Sequence, residues 1–95
     1  MSAAPSFRIF ETTQFDKDLR NIARAGHADI VDKLRRTVYP QLRRHPHFGP
    51  HVGKLKGATP DTWRYRIGAW RFFYEIDGDE RVVFMIAASH RGSAY

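Results

Sequence analysis

The fold is decided by residues 63–76, which read WRYRIGAWRFFYEI. Apolar and polar residues alternate on both sides of Gly68-Ala69, with the period of two that is typical of a half-buried β-strand. Gly68-Ala69 itself suits the tight turn of a β-hairpin. We therefore predict two antiparallel strands that carry Arg64, Arg66 and Arg71 on one face and bury their large apolar side chains on the other.

Further strands are predicted on both sides of this hairpin. Asp77-Gly78-Asp79 marks a second turn, and Arg81–Ala88 is apolar at every position after its arginine, as in a strand that is covered on both faces. Phe7–Phe10 predicts a first strand near the amino terminus. Residues 45–61 are rich in proline and glycine, which leaves no room for a long regular element.

The segment between the first strand and residue 45 predicts a helical hairpin. A threonine at position 12 or 13 can cap the first helix, Gly26 ends it, and a second helix begins at about His27. Pro40 should end or kink the second helix, because proline lacks the amide hydrogen. The resulting order, β-α-α-β-β-β, predicts an α+β fold with the helices packed on one face of a small antiparallel sheet.

Length and composition limit the class of protein. The chain has 95 residues, enough for a single domain over residues 1–95, in which residues 1–6 form a loose tail. It has no cysteine, so it has no disulfides and no cysteine-based metal site. Its longest apolar run, Val82–Ala88, is far shorter than the ~20 residues of a membrane span, and its start does not resemble a secretory signal. We expect a soluble, cytoplasmic protein with no membrane partner.

The basic residues are concentrated in the middle of the chain. Residues 33–71 hold ten lysines and arginines and a single acidic residue, Asp61, a net charge of +9, whereas the whole chain carries +6. Arginine binds phosphate through a planar fork of donors, so such a block favours a polyanionic partner. A basic face that is merely solvated is the alternative.

Four stretches together resemble the RelE/ParE superfamily of toxins from bacterial type II toxin–antitoxin systems. They are residues 46–50 (PHFGP), residues 54–57 (KLKG), the hairpin at residues 63–71 and the ending at residues 90–95 (HRGSAY). The resemblance extends from Phe7 to Tyr95. It implies the family's compact α+β fold and a small, partly acidic antitoxin, often fused to a DNA-binding half, that wraps the toxin and neutralises it.

The resemblance implies one of two targets. RelE-like members are endoribonucleases that cut messenger RNA, commonly on the ribosome, whereas ParE-like members poison DNA gyrase. In the RelE-like reaction the 2′-OH of the RNA attacks the adjacent phosphorus, so no metal or other cofactor is needed. A basic module without activity, which only binds an antitoxin and DNA, is a third interpretation.

The resemblance also implies the site residues. Arg64, Arg71, Arg91 and Tyr95 match catalytic positions of the RelE motif, and RNA-binding roles are expected for Lys54, Lys56, Arg66 and Phe73. Arg64 stands where RelE has a lysine, and arginine stays protonated at working pH, so Arg64 is a poor general base. His90 is the candidate acid or base in the catalytic set, and Glu75, on the strand face of Arg71, is a second candidate.

Overall fold

A computed structural model of the chain describes residues 6–91. Its elements are β1 (Arg8–Glu11), α1 (Thr13–Ile22), α2 (Ala28–Lys33), α3 (Tyr39–Arg44), β2 (Val52–Lys54), β3 (Trp63–Ile67), β4 (Trp70–Asp77) and β5 (Val82–His90). Two π-helical segments, Ala23–His27 and Leu34–Val38, join the three helices. Within residues 6–91, no helix combines the length and the apolar character needed to cross a lipid bilayer. Residues 1–5 of the predicted tail, and Tyr95, lie outside the described residues.

The strands form one sheet in the order β1-β5-β4-β3-β2. β1 is parallel to β5, and the other neighbours are antiparallel, so the predicted α+β architecture is confirmed. The β3–β4 hairpin turns at Gly68-Ala69 as predicted, and Gly68 adopts a φ of 56° that favours glycine. The prediction did not include β2, a three-residue edge strand that pairs with β3.

The first helix begins and ends where the sequence indicates. The Thr12 hydroxyl accepts a hydrogen bond from the Phe15 amide at 3.3 Å and donates one to the Met85 carbonyl at 2.8 Å, so the cap also ties α1 to β5. Gly26 has a φ of 95°, which breaks the helical path between α1 and α2. The short connection folds the two helices into the expected hairpin.

Pro40 does not end the helix, which continues to Arg44. The π-helical segment Leu34–Val38 precedes it, and the Tyr39 amide reaches back five residues to the Leu34 carbonyl. This longer turn starts α3 in a new register, with Pro40 in its first turn. Proline is tolerated in the first turn of a helix, so Pro40 does not interrupt α3.

The hydrophobic core lies between the helices and one face of the sheet. Tyr65, Ile67, Trp70, Phe72 and Tyr74 are buried there, as the alternation predicts, together with Phe15, Leu19, Ile22, Leu34 and Val38 from the helical side. Among residues 6–91, no helix packs on the opposite face of the sheet. β5 was predicted to be covered on both faces, and this is wrong: it lies between β1 and β4, but its residues Phe84 and Ala87 on the open face are only half-buried.

Candidate nucleic-acid interface

Four predicted site residues lie on the open face of the β3–β4 hairpin, and we call Arg64, Arg66, Arg71 and Phe73 the arginine face. Arg66 pairs directly with Arg71, and Arg64 pairs with Phe73 in the next row of the same face. On β5, Ser89 and Ala87 extend these two rows with small side chains. The strand alternation therefore brings three guanidinium groups and one aromatic ring onto a shallow, continuous surface.

The cations of the arginine face have no partner within residues 6–91. The ion pairs of the described chain lie elsewhere: Arg20–Asp16, Arg35–Glu11, Arg36–Asp32 and Lys54–Asp61. Like charges directly opposite each other on neighbouring strands are unfavourable, as for Arg66 and Arg71. An anion placed between these groups would relieve that repulsion, so the surface is suited to a phosphate.

Arg64 extends over the edge strand β2. Its strand partner there is Gly53, and the guanidinium Nη2 atom lies 2.7 Å from the position that a β-carbon on Gly53 would occupy. The Nε atom of Arg64 is buried and has no hydrogen-bond partner within the described chain. Arg64 therefore forms the β2 side of the arginine face, and its contact with Gly53 was not predicted from the sequence.

Arg91 lies at the same end of the sheet as Arg66 and Arg71. Its amide donates a hydrogen bond of 2.7 Å to the carbonyl of Ala69, in the turn between β3 and β4, and its side chain is exposed. The backbone of β5 thus places this fourth cation beside the hairpin turn.

His90 does not share the arginine face. It pairs with the buried Trp70, and the two ring centroids are 4.7 Å apart. His27 contacts the same indole from the helical side, at 5.2 Å. Successive residues of a strand point to opposite faces, so His90 lies on the helix-covered side while Ser89 lies beside Arg71.

Lys54 and Lys56 also lie apart from the arginine face. Lys54 pairs with Trp63 on the helix-covered side, where its ammonium is 3.2 Å from Asp61 and 5.8 Å from the centre of the indole ring. Lys56 is exposed in the turn that follows β2, far along the hairpin from Gly68-Ala69. Neither lysine belongs to the cross-strand rows that hold Arg66 and Arg71.

Glu75 is the carboxylate nearest to the arginine face along β4. It follows Phe73 by two residues on the same face and pairs with Phe84 of β5. Glu75 makes no ion pair or side-chain hydrogen bond within residues 6–91. Asp77, the next acidic residue, instead accepts the amides of Asp79 and Glu80 in the turn.

Sequence reasoning missed an aromatic pair beside Glu75. Phe10 of β1 and Phe84 of β5 stack edge to face, with ring centroids 5.7 Å apart, and Phe10 is 56% exposed. The pairing of β1 with β5 creates this contact, and residues so distant in sequence carry no local signal for it. The open face of the sheet is therefore basic at one end and aromatic at the other.

Three toxin structures are among the solved structures that share the fold. The toxin–antitoxin complex RelBE2 from Mycobacterium tuberculosis has 23% identity and a TM-score of 0.68, covering 90% of this chain and 99% of that one. The archaeal RelE–RelB complex from Pyrococcus horikoshii OT3 has 24% identity and a TM-score of 0.64, covering 93% and 98%. The YoeB/ParE toxin from Agrobacterium tumefaciens has 23% identity and a TM-score of 0.70, covering 88% and 98%.

A family model also matches nearly the whole chain. No curated protein matches the chain. The model of the ParE toxin of the type II toxin–antitoxin system parDE matches residues 9–95, which include all three helices, the arginine face and every strand except the first residue of β1. The chain therefore belongs to the RelE/ParE family, as the toxin of a type II toxin–antitoxin system.

Proposed function

We propose that this toxin is an endoribonuclease that cuts messenger RNA and so inhibits translation in the cytoplasm. The observation that carries the proposal is the unpaired arginine face. Arg66 and Arg71 are opposed across two strands with no acidic partner in the described chain, and Phe73 lies in the adjacent row. Guanidinium groups bind the phosphate backbone, and an aromatic side chain can stack on an unpaired base, so the surface fits single-stranded RNA.

The chemistry needs no metal ion, because the RNA supplies its own nucleophile. The 2′-OH loses its proton to a base and attacks the adjacent phosphorus, and the bond to the 5′ oxygen of the next nucleotide breaks. The departing 5′ oxygen takes up a proton from solvent water, which leaves a cyclic phosphate and a free 5′-OH. Negative charge grows on the phosphate oxygens during this step. In this proposal Arg71 and Arg91 stabilise that charge, while Arg64 and Arg66 hold the neighbouring backbone.

Glu75 is the group best placed to accept the proton of the 2′-OH. It shares β4 and the open face with Arg71 and Phe73, whereas His90 lies on the helix-covered side. The distance along β4 from Arg71 to Glu75 is four residues, or about 13 Å between backbones, which two long side chains and one nucleotide can span. His90 then serves to pack against Trp70 at the end of the sheet.

The experiment that tests this proposal compares induced expression of the toxin and its variants, with messages mapped for 5′-OH ends. Arg71→Ala and Glu75→Gln should each reduce cleavage about 100-fold or more, since a transition-state contact is lost. His90→Gln should reduce it only a few-fold. Arg24→Ala is the matched control, because it removes an exposed arginine on the helical side without touching the sheet. Full cleavage by folded Arg71→Ala protein would contradict the proposal.

Action on DNA gyrase is the second candidate. The observation that favours it is the match to a model named for ParE. In that case induction should block DNA replication, produce filamentous cells and leave messages intact. If protein synthesis continues in induced cells while DNA replication stops, the target is gyrase. If induction of the native chain causes neither message cleavage nor growth arrest, the chain is instead a basic binding module.

We also propose that the partner of this toxin is a small antitoxin with an acidic segment. The RelBE2 and archaeal RelE–RelB structures are complexes of a toxin with its antitoxin, and this chain shares their fold. An acidic segment would complement the net charge of +9 in residues 33–71. If messenger RNA is cut on the ribosome, the same basic surface would also face ribosomal RNA.

A further inference from the structure

Gly53 and Arg64 are neighbours on two adjacent strands, and the contact between them is unusually close. A β-carbon built on Gly53 would lie 2.7 Å from Nη2 of Arg64 and 3.4 Å from its Cζ atom. Real β-carbons do not approach other atoms to within 2.7 Å. With any other residue at position 53, the guanidinium of Arg64 would have to move.

The backbone does not explain why position 53 is glycine. Gly26, Gly49, Gly57 and Gly68 have positive φ angles, which other residues adopt at a cost, but Gly53 does not. Glycine is also disfavoured within a strand, where it often marks a close approach by another group. The group that approaches Gly53 is the guanidinium of Arg64.

The buried position of the Arg64 side chain is energetically unfavourable in itself. Its Nε atom is buried without a hydrogen-bond partner in the described chain. A buried donor without a partner is unfavourable, so packing across β2, and not a hydrogen bond from Nε within the described chain, holds this part of the side chain in place. The remaining N–H groups of a guanidinium held this way keep a fixed direction, which favours a ligand that accepts two parallel hydrogen bonds, such as a phosphate.

We propose that Gly53 is a positioning residue for Arg64. The lack of a side chain on this edge strand lets the guanidinium lie across β2, with Nε turned inward, and so sets the outer limit of the phosphate-binding surface. The effect of Gly53 on RNA binding rests on the proposed function. The contact between Gly53 and Arg64 is independent of that function, so the contact and its effect can be tested separately.

The first experiment measures hydrogen exchange of the arginine Nε–H groups by NMR spectroscopy on the full chain. Exchange should be slower at Arg64 than at the exposed Arg66. Gly53→Ala should raise the Arg64 exchange rate to that of Arg66, because the added methyl group displaces the guanidinium. The displaced atoms are the flexible end of a side chain, so the variant should fold and melt like the native protein. Equal rates at Arg64 and Arg66 in the native chain would overturn the proposal without any variant.

The second experiment measures binding of a short single-stranded RNA whose 2′-O-methyl groups prevent cleavage. Gly53→Ala and Arg64→Ala should each weaken binding about tenfold, and the double variant should bind no more weakly than Arg64→Ala alone. Gly78→Ala is the control, because a β-carbon there meets no atom within 4 Å. The proposal would be overturned if the losses in binding free energy of the two single variants add up in the double variant. It would also be overturned if Gly53→Ala binds RNA as tightly as the native protein. If the native chain binds no RNA, the proposed function fails, while the exchange rates still decide the role of Gly53.

Discussion

Arg66 and Arg71 lie directly opposite each other on β3 and β4, where their charges repel. We expect Arg66→Ala to leave the free energy of unfolding unchanged or to raise it, by up to about 1 kcal/mol, because it removes this repulsion. The same change should weaken RNA binding and lower its dependence on salt, since one phosphate contact is lost. Urea denaturation and binding measured at several salt concentrations would show both effects. A destabilised Arg66→Ala protein would mean that the arginines stabilise the sheet rather than serve a ligand.

At the scale of elements, Gly26 allows α1 and α2 to form a hairpin. Its φ of 95° lies in the region that residues with a β-carbon avoid, and no atom lies within 4 Å of a β-carbon placed there. Gly26→Ala should therefore destabilise the protein by backbone strain alone, by about 1–2 kcal/mol. Gly78→Ala, without a positive φ, should have almost no effect on thermal melting. Equal melting temperatures for the two variants would show that the helical hairpin tolerates other connections.

The elements also show how far the sequence determines the site. The β3–β4 hairpin and the arginine face could be predicted, because alternation and the turn at Gly68 are local signals. β2 could not, since three residues with a central glycine have no recognisable period. The face of His90 was not predictable either: β5 is apolar on both sides, and a bulge at Ile86 shifts its register against β4.

At the scale of the whole molecule, three tyrosines link the sheet to the helical side. Tyr74 donates a hydrogen bond to the Pro46 carbonyl at 2.7 Å, Tyr65 donates to Gln41 at 2.9 Å, and Tyr39 donates to Glu11 at 2.5 Å. Burial raises the pKa of each tyrosine in the folded protein; the bond to Glu11 raises that of Tyr39 further, and the bond to Gln41 partly opposes the rise at Tyr65. The folded chain therefore retains protons that the unfolded chain releases above about pH 10.

The contribution of these three tyrosines to the free energy of unfolding should consequently be constant below about pH 10 and fall above it, by up to about 1.4 kcal/mol per pH unit for each tyrosine. The fall continues until the pH reaches the raised pKa values of the folded state. Tyr74→Phe should start from a lower stability at neutral pH, because the Pro46 carbonyl loses its donor, but decline less steeply in alkali. Urea denaturation at a series of pH values, with tyrosinate absorbance recorded in parallel, would measure both slopes. Arg66→Ala, which removes no tyrosine, should keep the native slope, and an equally steep decline in Tyr74→Phe would show that other groups cause the alkaline unfolding.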